Sequence, residues 1–192
     1  VRVHRGMGDP HDPGAYYRAL RAAQSARLIN LSLGGPHEDP LETRILERAL
    51  RNGAIVVSAI GNDGRSGSTV SYPACLPDII AVGAVDRHGS RAAFSSCGDH
   101  IALCAPGVDI YSTVPTYPVP GVVPVGSPPL ATFSGTSMAA PIVTAVVAKM
   151  LSWNGRLTRD DVRRHLRGSS GRAWNNEVGL GVIDACATLE ML

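Results

Sequence analysis

Apolar and polar residues follow two rhythms along this chain. Ala15 to Ala26 and Pro40 to Asn52 carry apolar side chains at helical spacing, with Leu41, Ile45, Leu46 and Ala49 on one face of the second segment. Between and after them lie short runs rich in Val and Ile. These are Leu28 to Leu33, ending in Gly34-Gly35-Pro36, then Ala54 to Ile60 and Ile79 to Val85. A run with so few polar interruptions fits a strand buried on both faces, as in a parallel sheet covered by helices. Ile101 to Leu103 and Ile110 to Ser112 predict shorter strands. Val1 to Val3 predicts another, which starts abruptly, as if a larger sheet continued upstream, and leads into a polar, turn-rich stretch from Gly6 to Gly14.

Pro115 to Leu130 reads as a loop rich in Pro, Gly and Val. Ser137 to Trp153 then predicts an apolar helix with Pro141 tolerated in its first turn. A second helix follows from Thr158 to Arg167, capped by Thr158, with Asp160 and Asp161 near its positive end. Gly181 to Leu192 predicts a short strand or turn and a closing helix. Strands alternating with helices argue for an α/β fold, a three-layer sandwich with a mainly parallel central sheet. Residues 1–192 read as a single domain, without internal repeat or boundary.

Composition supports a packed core: 44% of the 192 residues are hydrophobic and 18% charged. The net charge is only +2 and Lys149 is the sole lysine, so no block of charge suggests nucleic acid as a partner. The densest basic segment, with Arg156, Arg159, Arg163, Arg164 and Arg167, also holds Asp160 and Asp161 and reads as a solvated helix face. No apolar run reaches the roughly 20 residues of a spanning helix, so no membrane partner is expected. Cys75, Cys97, Cys104 and Cys186 are irregularly spaced and lack a C-x-x-C pair, which fits buried thiols or a structural disulfide rather than a zinc or redox site.

The string Gly135-Thr136-Ser137-Met138-Ala139-Ala140-Pro141 puts a serine at the entry of an apolar helix, among small residues. There the helix dipole and free backbone N–H groups favour negative charge, which stabilises both an alkoxide-like nucleophile and the oxyanion it creates. Taken alone, such a serine is most often a cap. Upstream, however, lie Asn30-Leu31-Ser32-Leu33-Gly34-Gly35-Pro36, then Gly61-Asn62-Asp63-Gly64, then Tyr72-Pro73 leading to Ile80-Ala81-Val82-Gly83-Ala84-Val85. In this order the strings resemble the subtilisin-like serine proteases, the subtilases or peptidase S8 family. Ala105-Pro106-Gly107 and Gly179-Leu180-Gly181-Val182-Ile183-Asp184-Ala185 extend the resemblance over nearly the whole chain.

The resemblance implies a subtilisin-like fold, incomplete on its N-terminal side, and a serine endopeptidase acting on polypeptides through a Ser137 acyl-enzyme. It implies that the Asn62 side-chain amide and the Ser137 backbone N–H donate to the oxyanion. It also places Ser32, Leu33 and Gly34 along an extended substrate, Ala59, Ile60 and Gly61 on the opposite pocket wall, and Ser71 near the pocket base. Nothing charged lines that pocket, which predicts apolar or aromatic residues before the cut. No cofactor is expected, although the family allows calcium in a complete domain. His100 and Ala102 stand where some members carry acidic cation ligands, and Ile142 replaces a structural histidine. The loop from Thr116 to Leu130 is longer and richer in proline than the family's usual turn. Secretion is the expectation that goes with the family.

A serine hydroxyl needs a base and a third group to orient it, typically His and Asp. In this family both precede the serine, and neither Asp-Thr/Ser-Gly nor His-Gly-Thr-His occurs here. The expectation is that about a hundred residues upstream of Val1 supply them. His4, His37, His88, His100 and His165 have no matching role, and His11 between Asp9 and Asp12 reads as a polar turn. The isolated chain is therefore expected to be inert. The alternative is a non-catalytic scaffold that keeps the fold and the peptide groove.

Overall fold

A computed structural model describes residues 14–119, 123, 124, 126, 128–170 and 173–192. The expected strand Val1 to Val3, His4, and His11 with Asp9 and Asp12 lie outside the described residues. Four parallel strands form the main sheet in the order β1 (Leu28–Leu31), β2 (Ile55–Ala59), β3 (Ile80–Val85), β4 (Ile101–Pro106). Every residue of β2 and β3 is buried, as uninterrupted apolar runs require when both faces are covered.

The pleat sorts side chains between two helical layers. Ile55, Val57, Ala59, Ile80, Val82 and Ala84 face the long helix α3 (Thr136–Trp153), with Val162 and Leu166 of α4 (Arg159–Ser170) in the same cluster. Ile29, Leu31 and Val56 face the other way, onto Leu20 of α1 (Ala15–Ala23) and Ile45, Leu46 and Ala49 of α2 (Pro40–Arg51). A short helix, α5 (Ala185–Glu190), closes the chain. The sandwich thus has three layers.

Local chemistry sets the helix ends. Asp39 caps α2, its carboxylate accepting the N–H groups of Leu41 at 2.8 Å and Glu42 at 3.1 Å, with Pro40 as the first helical residue. The hydroxyls of Tyr16 and Tyr17 on α1 donate to the carboxylates of Glu42 and Asp39, tying α1 to α2. Thr158 and Asp161 form a reciprocal cap at α4, Asp161 N–H donating to Thr158 Oγ1 at 3.2 Å and Thr158 N–H to Asp161 Oδ2 at 2.8 Å. The arginines of α4 are engaged at the surface: Arg159 and Arg163 each pair with Asp78 at 3.1 Å, and Arg164 with Asp161 at 3.0 Å.

Several boundaries differ from the sequence reading. Helix α1 stops at Ala23, and β1 stops at Leu31, where its ladder with β2 ends. Strand β4 continues to Pro106 because Val85 still pairs with it. A strand follows the Pro-rich segment: β6 (Leu130–Phe133) pairs antiparallel with β5 (Ile110–Thr113), shortly before the residues that open α3. Pro141 is the sixth residue of α3 and so lies beyond its first turn. By length and composition α3 is apolar enough to cross a membrane, yet here it packs across all four strands of the sheet.

Candidate active site

The first turn of α3 is held by close backbone approaches. Gly135 precedes the helix and donates its N–H to the carbonyl of Gly107 at 2.8 Å. A Cβ on Gly107 would lie 2.6 Å from Ala84 Cβ and 2.9 Å from the Gly135 carbonyl, so only glycine permits this approach. Thr136 and Ser137 are the first two helical residues, whose N–H groups have no acceptor within the helix.

Asn62 meets this turn from the end of β2, after Gly61 turns the chain at a φ of 113°. Its side-chain oxygen accepts two bonds from Thr136, from the N–H at 2.9 Å and from the hydroxyl at 3.0 Å. Thr136 Oγ1 in turn accepts the N–H of Gly61 at 3.3 Å. With the amide oxygen occupied, Nδ2 is the donor end of Asn62, and a Cβ on Gly135 would sit 3.5 Å from it. The same Cβ position is 3.7 Å from the Ser137 N, so Asn62 Nδ2 and the Ser137 N–H are neighbours at one turn. Asn62 is exposed and Ser137 half-buried, so both are reachable.

Ser137 and Ser32 hold each other reciprocally. The Ser137 hydroxyl donates to the Ser32 carbonyl at 3.1 Å, and the Ser32 hydroxyl donates to the Ser137 carbonyl at 2.8 Å. Pro141 explains the second bond. Four residues beyond Ser137, it has no N–H to offer that carbonyl, and Ser32 supplies the missing donor. Asn30 extends the chain of contacts: its amide donates to Ser32 Oγ at 3.0 Å and its oxygen accepts the Thr144 hydroxyl, about two turns beyond Ser137 along α3, at 2.9 Å.

Beside this pair, Gly34, Gly61 and Ser71 converge. Gly35 and Tyr72 exchange backbone bonds of 2.9 and 2.8 Å, which brings Gly34 against Ser71. A Cβ on Gly34 would lie 2.6 Å from Ser71 Oγ, and one on Gly61 3.3 Å from Ser71 Cβ. Ser71 is buried between the two glycines, and Leu33 packs beneath on the α2 side. Ile60 is fully buried and packs into a separate cluster with Ala74 and Val85, and Ala59 is buried on the α3 side, so neither side chain is exposed beside Ser71.

Among the described residues no histidine bonds to Ser137, whose hydroxyl partner is Ser32. His100 is half-buried with Nε2 unpartnered, and burial holds its pKa below the ordinary value against the pull of Asp99. His100 and Ala102 offer no carboxylate, and the Ala102 carbonyl already accepts Leu180 N–H at 2.9 Å. No group of three or more His, Cys, Asp or Glu suited to a metal ion occurs among the described residues. All four cysteines are free thiols; Cys104 is buried, Cys75 and Cys97 half-buried, and Cys186 exposed, contrary to a uniformly buried set. Thr136 has no assigned role in the sequence reading although it stands beside Ser137; its place just before the serine that opens α3 was the available signal.

With this geometry in place, comparison with known proteins supplies the family. The profile of the Subtilase family matches residues 2–181, and the chain belongs to that family. It is 41% identical over 141 residues to Subtilisin DY of Bacillus licheniformis, covering 72% of this chain and 47% of that protein. It is 38% identical over 168 residues to Subtilisin E of Bacillus subtilis (strain 168), covering 85% of this chain and 41% of that protein. The chain thus spans less than half the length of these two curated relatives. Fervidolysin from Fervidobacterium pennivorans, a keratinolytic enzyme related to subtilisin, superposes with a TM-score of 0.79 at 30% identity over 92% of this chain and 28% of its own. The Prenylagaramide maturation protease PagA superposes with a TM-score of 0.73 at 27% identity over 92% of this chain and 66% of its own.

Proposed function

We propose that this chain is the nucleophile-bearing part of a subtilisin-like serine endopeptidase, with the catalytic Asp and His supplied by a segment upstream of Val1. The Ser137 hydroxyl turns from the Ser32 carbonyl, its acceptor in this structure, to the upstream histidine, which removes the hydroxyl proton as Oγ attacks the peptide carbonyl. Asn62 Nδ2 and the Ser137 N–H then donate to the oxyanion, and the upstream histidine returns the proton to the leaving amine. The observation that carries this reading is the Asn62 carboxamide, its oxygen fixed by two Thr136 donors and its nitrogen left at the turn that bears Ser137.

Substrate lies extended along Ser32, Leu33 and Gly34, with the side chain before the cut entering between those residues and Ala59, Ile60 and Gly61, above Ser71. None of these seven residues is charged, which favours apolar or aromatic side chains there. The partners are a polypeptide and the upstream segment, neither nucleic acid nor membrane, and secretion follows from the family.

A serine-directed fluorophosphonate tests the reading. Labelling of Ser137 is expected to be slow on the isolated chain and rapid once the upstream segment is joined. Rapid stoichiometric labelling of the isolated chain would contradict the need for that segment. In the completed protease, Asn62→Ala is expected to lower kcat about a hundred- to a thousandfold, a range carried over from a subtilisin rather than worked out for this chain. An unchanged kcat with a raised KM would remove the oxyanion role. A completed protein that binds peptides without labelling or cleavage would favour the scaffold alternative.

A further inference from the structure

We propose that Ser96 is a positioning residue for Asn62, pinning the turn from behind while Thr136 fixes the side chain in front. The proposal rests on the oxyanion reading above. Ser96 is fully buried in the segment between β3 and β4 and touches no reacting atom. Its N–H donates to the Gly61 carbonyl at 3.0 Å, and its hydroxyl accepts the N–H of Asp63 at 3.0 Å. The residues on both sides of Asn62 are therefore tied to one serine.

The two segments run unusually close. Gly64 donates its N–H to the Phe94 carbonyl at 2.9 Å, and a Cβ on Gly64 would fall 2.3 Å from the Ser95 carbonyl oxygen. A Cβ on Gly61 would lie 3.1 Å from Ser96 Oγ. The glycines on either side of Asn62-Asp63 thus allow the turn to sit against residues 94–96.

The pin is itself anchored to the core. Ser95 Oγ accepts the N–H of Ala84, in β3, at 3.0 Å and donates to the Ser96 carbonyl at 3.1 Å. Arg91 donates to the Ser95 carbonyl at 2.6 Å and pairs with Glu177 at 2.6 Å. A path of bonded groups thus runs from the central sheet through Ser95 and Ser96 to the turn. Without the Ser96 hydroxyl, the Asp63 N–H loses its acceptor and Asn62 Nδ2 loses its fixed aim at a developing charge, where small displacements weaken catalysis.

A double-mutant cycle in the completed protease tests this, with kcat and KM on a peptide anilide and a melting curve for each variant. Ser96→Ala is expected to lower kcat about five- to tenfold, the worth of one hydrogen bond, with KM held within about twofold. In an Asn62→Ala background the same substitution is expected to change kcat by less than about twofold, because Ser96 acts through Asn62. Ser96→Cys keeps the volume with a weaker acceptor and enters the same cycle if the alanine variant unfolds. An unchanged kcat in the single variant, or an undiminished loss in the Asn62→Ala background, would overturn the proposal and leave Ser96 as general support. If Asn62→Ala alone leaves kcat unaltered, the oxyanion reading fails first and the positioning role goes with it.

Discussion

Replacing Pro141 with alanine restores an N–H four residues beyond Ser137, where the native helix has none. Proline in a helix interior is about 3 kcal/mol less favourable than alanine. About 1 kcal/mol of that is already offset by the Ser32 hydroxyl, and about 0.4–1 kcal/mol more is lost through the freer unfolded chain. The variant is thus expected to be about 1–2 kcal/mol more stable in urea melts. Its turnover is expected to move the other way. The new bond draws the Ser137 carbonyl back along α3 and competes with the 2.8 Å bond from Ser32. Since a displacement of about 1 Å can cost about a hundredfold, a shift of a few tenths corresponds to a three- to tenfold loss of kcat, roughly. Both quantities are measured on one preparation of the completed protease. A stabilised variant with unchanged kcat would refute the link between Pro141 and nucleophile placement.

Other expectations follow from the same contacts. Thr136→Val removes one of two donors to Asn62 Oδ1 and the acceptor for Gly61 N–H; kcat is expected to fall about tenfold with KM nearly constant, and a change confined to KM would count against it. Gly34→Ala puts a Cβ 2.6 Å from Ser71 Oγ and 2.8 Å from the Tyr72 carbonyl, so about 1–3 kcal/mol of stability and much of the peptide affinity are expected to go together in melts and inhibitor titrations. The Thr158 hydroxyl, the Thr158 N–H and Arg164 hold Asp161 below its ordinary pKa. Its cap therefore contributes above an unfolded value of about 3.9 and is lost as pH falls through the lower folded value. The melting difference between the native chain and Asp161→Ala should accordingly shrink only below about pH 4, and a constant difference would contradict the assignment. Burial pushes the Cys104 thiol up to about 12, whereas Cys186 is exposed, so iodoacetamide is expected to alkylate Cys186 in the native protein and Cys104 only on unfolding.

The main layers were legible because burial on two faces leaves a plain mark. The runs that became β2 and β3 have almost no polar residue to place, and α2 shows its apolar stripe and its Asp39-Pro40 start in the sequence itself. Strand β6 was hidden because its four residues alternate only between exposed and half-buried, behind a proline-rich segment. The strings around Ser137 and Asn62 were readable as an ordered set that marks the family. Thr136 and Ser96 were not, since a lone hydroxyl acquires its role from partners 74 and 33 residues away. Pro141 looked harmless because its effect depends on which carbonyl loses a donor, and that is a matter of register along the helix.

Helix α3 lies across all four strands, and Ser137 is its second residue. The Ser137 hydroxyl is therefore mounted on the helix that touches every strand of the main sheet. Heating is expected to release the Ser137 hydroxyl from the Ser32 carbonyl only as α3 itself parts from the sheet.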